Sequence, residues 1–370
     1  MKVLHTVYSL IAILALLTGI ESKAQVYAER SLYRDTYAST GIKTLNVINK
    51  YGDIKVTNWD KDSIRISTEM YLSSSTQKKF DKLRSNVKIN YKQEGSVITA
   101  QTLFGENKAA FIKEIQEFTR DITPGMDKKI EINYEIFIPE NIDIEIYDQY
   151  GDIVLEDINN KLKVVLSNGS FKTSDIKKDI NFKFKFVNAM MTNIENGFIE
   201  LKYSNINFSS AKEINLESKS SEIYADNIDI LKLNSSRDKI DVGNLFYMYG
   251  SSGYSTIRIS KLNKEMDCYF NYGQITVNNM DKNVSLIDID SERTDIKLFI
   301  PKQIVYSYDI LYHENSQILL PLKEKSELSK GMDEMKVIKG KTGNNPTLNL
   351  QINALKKCII QVHNTGEHSN

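Results

Sequence analysis

Cysteine, histidine, excess charge and long apolar runs are all scarce in this chain, and each scarcity removes a class of protein. Only Cys268 and Cys358 occur in 370 residues, which excludes the small secreted scaffold held by disulfides; their wide separation leaves pairing between them open. Of the four histidines, His313, His363 and His368 lie in the C-terminal part, outside the regular pattern described below. No His/Cys group has metal-ligand spacing, and neither a G-x-S-x-G elbow nor a G-x-x-x-x-G-K phosphate loop is present, so no metal, cofactor or catalytic residue is expected. Lysine plus arginine and aspartate plus glutamate both number 48. A neutral chain has no global electrostatic reason to seek nucleic acid or anionic lipid.

The one apolar run is Leu10–Leu17, preceded by Lys2 and followed by Ser22-Lys23-Ala24. Spanning a bilayer takes roughly 20 apolar residues, so the run is too short for an anchor. Its charged start, short hydrophobic core and small residues have the order of a secretory signal peptide, and residues 1–24 are expected to be removed after Ala24. No cysteine follows the run, which argues against lipid anchoring, and no later stretch is apolar enough to span. The expected location is outside the inner membrane: periplasm, outer-membrane surface or extracellular space.

What the chain does have is repetition. NKYGDIKV at residues 49–56 returns as DQYGDIVL at residues 148–155. Stepping forward from the isoleucine at 153, the same slot is filled by Phe171, Ala189, Ile206, Ile223, Ile240, Ile257, Ile275 and Ile296, in steps of 17 or 18 and a last step of 21. Two positions before the slot stand Gly151, Gly169, Ser204, Ser221, Asp238, Ser255 and Gly273, with Val187 as the exception. Small and turn-forming residues suit a tight corner, where glycine is free at positive φ. Five positions after the slot, Ile158, Ile176, Ile194, Ala211, Ile228, Leu245, Leu262 and Met280 read as a second, buried corner. Alternating runs such as Leu162-Val164-Leu166, Ile180-Phe182-Phe184, Met266-Cys268-Phe270 and Val284-Leu286 read as strands with one face inward, the last breaking off at Asp288.

Recurrence of one residue type at one slot is what stacking of successive coils produces. An antiparallel meander is the rival arrangement, but it has less reason to repeat a unit in one sense. The expected fold is therefore all-β, a parallel β-solenoid or β-helix with coils of about 17 residues and a small helical insertion near the N-terminus. The expected divisions are a signal peptide at 1–24, an N-terminal β region at 25–147, regular repeats at 148–300, and a C-terminal β cap and tail at 301–370. Within the N-terminal region, 73–86 (with KKFDKLRS) and 108–120 (Phe111, Ile112, Ile115 and Phe118 on one face) carry helical patterns. A helix packed on the flank or end of the coils is the plain reading, and a partner-binding helix the sharper one.

Tyr51, Tyr150, Tyr203, Tyr254 and Tyr272 precede the small corner residue and form the candidate site. Pointing outward on nearby turns, they would make a flat stacking surface for sugars or peptides. Asn168, Ser220 and Arg237 interrupt the series, which equally fits a stack that merely shields the corners. The column containing Asp53 and Asp152 raises calcium, but it continues through Ser170, Asn188, Asn205, Glu222, Lys239, Thr256, Gln274 and Asp295, and a ligand ladder would not tolerate the lysine. Cys268, between Met266 and Phe270, reads as a core thiol.

LNVINKYGDIKV at 45–56, Tyr134-Glu135-Ile136-Phe137-Ile138-Pro139-Glu140-Asn141 and the recurring YG and NG corners resemble the secreted bacterial β-strand-repeat or adhesin-domain proteins of unknown function, common in Bacteroidetes-type genomes. The resemblance covers nearly all of the chain beyond residue 24 and is most specific at Tyr51, Tyr150 and Tyr272. It implies an exported β-solenoid; the adhesin label of that family is itself an inference from shape, and no catalytic residues carry over. Phe186-Val187 and Arg237-Asp238 depart from the corner pattern.

The expected function is that of an exported, non-enzymatic, adhesin-like binding or scaffold surface of the cell envelope, with a protein or glycan as partner. A carbohydrate-active β-helix lyase or hydrolase is the first alternative; Ser291-Glu292-Arg293-Thr294-Asp295 is the one cluster that could serve it. The second is a periplasmic partner of an envelope-sensing system, bound through 108–120.

Overall fold

The computed structural model describes residues 26–105, 129–321, 327–330 and 334–365. The expected leader at 1–24 and the helical pattern at 108–120 lie outside the described residues. The chain divides into two compact units. The first comprises Met1–Ser31, Met70–Lys88 and Phe104–Ile130, and the second comprises Leu32–Glu69, Ile89–Leu103 and Glu131–Asn370.

The first unit carries the one α-helix among the described residues, Gln77–Asn86. Several serines precede it, but Thr76 is the N-cap, its hydroxyl accepting from the Lys79 N–H at 3.4 Å. Phe80 and Leu83, three apart, share one helical face and are both buried. The Gly105 N–H closes the helix end on the Asn86 carbonyl at 2.8 Å. No described helix is long and apolar enough to cross a membrane.

The second unit is a long run of strands paired mostly in parallel. The isoleucine slot becomes a physical column: Tyr134, Ile54, Ile153, Phe171, Ala189, Ile206, Ile223 and Ile240 are successive Cα partners. Ile275, Ile296 and Ile360 continue it. All are buried, and the residues between them alternate outward, as a pleated strand requires. The second corner also stacks, with Ile158, Ile176, Ile194, Ala211, Ile228 and Leu245 as consecutive partners.

The two YGDI copies are thus direct neighbours, Ile54 lying on Ile153. The segment between them is displaced to the other side: Leu45 pairs Ile98 as well as Ile144, and Ile54 pairs Tyr134 as well as Ile153. The C-terminal part is also stacked out of order. Leu348–Ala354 is inserted between Leu286–Pro301 and Tyr306–His313, and Ile359–Thr365 between Leu286–Pro301 and Gln317–Leu319.

Two expectations need correction. The sheet is mixed and not purely parallel, because Met335–Lys341 runs antiparallel to both Tyr306–His313 and Glu327–Lys330. The long step before Ile296 does not end the strand pattern at Asp288. A turn at Asp281–Val284 absorbs the extra residues, and the chain re-enters one residue out of the expected phase. Ile287 and Ile289, not Leu286, are the buried partners of Met266 and Cys268, since a one-residue shift exchanges the faces of a strand.

Candidate ligand-contact corner

Each coil turns at one residue in the left-handed region. Tyr51, Tyr150, Asn168, Phe186, Tyr203, Ser220, Arg237, Tyr254, Tyr272 and Arg293 all have φ between 50° and 67°. Every one stands three positions before the isoleucine slot. The tyrosine of YGDI and its counterparts is therefore the residue left-handed at every corner; of the glycines after it, Gly52 (φ 155°) and Gly273 (φ 120°) are also at positive φ, whereas Gly151 and Gly169 are not.

That small column has another cause. A Cβ on Gly151 would sit 1.9 Å from the Gly52 carbonyl oxygen, and one on Gly169 at 1.9 Å from that of Gly151. Where side chains do occupy the column, they link coils. The Ser204 hydroxyl accepts from the Val187 N–H at 3.1 Å, Ser221 from Ser204 at 3.2 Å, Asp238 from Ser221 at 2.8 Å and Ser255 from Asp238 at 3.1 Å. Burial raises the Asp238 pKa, while the Ser218 hydroxyl, the Ser221 N–H, the Ser235 hydroxyl and the Ser236 N–H oppose it. Val187 is no exception to the corner, since Phe186 before it has φ 56°.

Two positions further inside, Asn49 and Asp148 occupy equivalent sites. Asn49 is satisfied: its amide donates to the Gly52 and Ile132 carbonyls at 3.0 and 2.9 Å and accepts from the Thr102 hydroxyl at 3.0 Å. Neither carboxyl oxygen of the buried Asp148 has a hydrogen-bond partner. Burial is the main cause that pushes its pKa up to about 7; the Gln149 N–H opposes this from outside hydrogen-bond geometry, and the charges of Asp53 and Asp152 add to it.

On the outside of the corner the five candidate tyrosines are brought into one column. Tyr51 stacks on Tyr150 with centroids 5.4 Å apart, and Tyr254 on Tyr272 at 4.7 Å. Tyr203 stacks on Phe186, at 5.1 Å. Tyr150, Phe186, Tyr203 and Tyr254 are exposed. Burial and the neighbouring Tyr150 raise the Tyr51 pKa. The rings do not form the flat platform expected from sequence. They lie face to face in three pairs separated by Asn168, Ser220 and Arg237, so one face of each ring meets its partner and the edges meet solvent.

The sequence reading also missed the cations. Lys50 lies over Tyr51 at 4.8 Å, Lys185 over Phe186 at 5.5 Å, Arg237 over Tyr254 at 5.6 Å and Arg293 over Tyr272 at 5.2 Å. Phe186 and Arg237, which looked like interruptions, are members of the column. Their place in the period was the available signal; restricting the series to tyrosine hid it.

The other candidates have structural partners. Asp53 accepts from the Asp152 N–H at 2.9 Å, and Asp152 from the Ser170 N–H at 2.8 Å, so both acids link coils. No group of three potential metal ligands occurs among the described residues. Glu292 is held by Lys356 at 2.6 Å. Cys268 and Cys358 are both buried and free, and burial first, then the Asp267 charge, raises the Cys268 pKa.

The sequence matches no protein-family model and no curated protein. Among solved structures it is similar to a putative cell adhesion protein from Clostridium sporogenes, 9% identical over 91% of this chain and 100% of that one, with a TM-score of 0.20. It is also similar to a putative adhesin from Bacteroides fragilis, 12% identical over 90% of this chain and 97% of that one, again with a TM-score of 0.20. Scores this low bear on neither fold nor function.

Proposed function

We propose that this chain is an exported, non-enzymatic protein whose in-register parallel coils form a β-solenoid. Its left-handed corner column is the contact surface for a cell-envelope or extracellular ligand, an adhesin-like role. One observation carries the reading: aromatic and basic side chains stand where glycine or asparagine would fold more easily.

A non-glycine residue in the left-handed region costs about 1–2 kcal/mol, so a tyrosine pair costs about 2–4. Stacking of the two rings contributes about 0.5–1.5 kcal/mol, and a cation over an exposed ring about 0.5–1. The local interactions do not clearly offset the strain. Strained conformations that persist with large exposed side chains point to a use beyond folding. The enzyme alternative has no comparable support: Glu292 of its one candidate cluster is ion-paired with Lys356 at 2.6 Å.

Tyr254→Asn with Tyr272→Asn separates contact from corner-shielding, because Asn168 already occupies the same conformation. The double variant is expected to keep or raise the unfolding midpoint while lowering binding in glycan or peptide screens at least tenfold. A lower midpoint with unchanged binding would show that the rings serve only the fold. Export is tested by protease treatment of intact cells beside a periplasmic control: cleavage puts the corner at the surface, protection with both proteins intact puts it in the periplasm, and recovery of the chain in the cytoplasm rejects the proposal.

A further inference from the structure

The chemistry left exposed on the corner is cationic and hydrogen-bond donating. Ring faces are electron-rich and ring edges electron-poor; here each ring has one face on its stacking partner, cations lie by Tyr51, Phe186, Tyr254 and Tyr272, and the edges face outward. Among the described residues, none of Lys50, Lys185, Arg237 and Arg293 has an ion-pair partner. Some lysines elsewhere do have acids, Lys163 with Glu145, Lys183 and Lys202 sharing Glu200, Lys232 with Glu213 and Lys339 with Asp309. The hydroxyls of Tyr150, Tyr203, Tyr254 and Tyr272 bond to no described protein group. The amide-rich opposite corner differs, with Asn193 donating to Asp175 at 2.7 Å and Asn244 to Asn227 at 2.9 Å along the stack.

Electron-poor ring edges, unpaired cations and free phenol donors in one column share a single complement, an oxyanion. The column takes nine coil-to-coil steps from Tyr51 to Arg293, about 43 Å at a strand spacing near 4.8 Å. We propose that it binds a linear carboxylate-bearing polysaccharide, a polyuronate lying along the stack, with Arg237 and Arg293 engaging carboxylates and the Tyr254 and Tyr272 hydroxyls donating between them. This rests on the corner being the ligand surface. A single-stranded nucleic acid would need a series of open ring faces on which to stack successive bases, and here each ring gives one face to its stacking partner. A protein partner would need a pocket for a buried anchor side chain, which an edge-on comb does not offer.

The test is titration of the full chain at low ionic strength with polygalacturonate and with its fully methyl-esterified form, which keeps the rings and removes the charge. The acid form is expected to bind, to weaken with salt, and to lose at least tenfold on esterification. Arg237→Gln with Arg293→Gln should lower affinity at least tenfold while lowering the unfolding midpoint only slightly, through loss of the two cation–ring contacts. Tyr254→Phe with Tyr272→Phe, which keeps the stack and deletes only the hydroxyls, should lower it severalfold. Equal binding of acid and ester, or affinity unaffected by the arginine variant, would overturn the inference. If a neutral glycan, a peptide or single-stranded DNA binds in a manner lost in the double asparagine variant while polygalacturonate does not bind, the polyuronate is wrong and the contact corner stands. If no probe of any class depends on Tyr254 and Tyr272, both fall.

Discussion

Asp148→Asn is expected to stabilise the protein at pH 8 and to flatten its stability profile between about pH 4 and pH 7. The folded-state pKa of Asp148 is about 7, above its ordinary value of 3.8. The folded chain therefore keeps a proton that the unfolded chain releases across this window. The contribution of Asp148 to stability is greatest below about pH 4, falls as pH rises toward 7, and is level above it. A shift of this size corresponds to roughly 4 kcal/mol between the ends of the window. Asparagine carries no charge to desolvate and can donate as Asn49 does one coil away, where its amide reaches two carbonyls. Urea unfolding at pH 4, 5.5, 7 and 8 reads the effect. An unchanged pH slope in the variant would mean that Asp148 is not the group responsible.

Gly151→Ala is expected to destabilise the fold by about 2–4 kcal/mol, in the range of overpacked sites. Its Cβ would stand 1.9 Å from the Gly52 carbonyl oxygen and 2.6 Å from Asp148 Oδ2. The first obstacle is backbone, so relief requires two coils to separate. Ser204→Ala at the equivalent corner is the control. It removes the acceptor of the Val187 N–H and the donor to the Lys202 carbonyl, and the expected loss is about 1–3 kcal/mol, without the expansion that Gly151→Ala forces. Equal stability of Gly151→Ala and the parent chain would show that the corner column tolerates side chains throughout.

The period, the buried columns and the second corner were legible in the sequence because an in-register stack repeats one environment at one slot, and each slot selects its residue type independently. Ile153, Ile206 and Ile223 share a slot in the sequence and a column in the structure. The out-of-order coils at Val97–Phe104 with Lys129–Ile138, and at Leu348–Ala354 with Ile359–Thr365, were not legible. A parallel neighbour supplies the same hydrogen bonds and the same apolar slot whatever its position in the chain, so periodicity records that coils stack and not which stacks on which. The turn at Asp281–Val284 was missed because a one-residue change of phase leaves composition unaltered while exchanging the buried and exposed faces.

The corner was half legible. Its position was visible, but the glycines drew attention one residue too far, since Gly151 answers a close approach by the Gly52 carbonyl and Tyr150 carries the left-handed φ of 64°. That the rings present edges could not be read from sequence, because it depends on the coil-to-coil spacing bringing Tyr254 within 4.7 Å of Tyr272.

The claim beneath both the fold and the function is that residues 17 positions apart at the corner are direct neighbours in a parallel stack. Lys202 and Lys219 are Cα partners on exposed positions beside the column, and in-register strands place such atoms about 4.8 Å apart, within the range a disulfide can bridge. In a chain with Cys268 and Cys358 replaced by serine and shown to remain folded, the pair Lys202→Cys and Lys219→Cys is predicted to cross-link within the molecule under mild oxidation, while Lys202→Cys with Ser236→Cys, two coils away, is not. Cross-linking of the distant pair in preference to the adjacent one would contradict the stacked arrangement and the contact corner built on it.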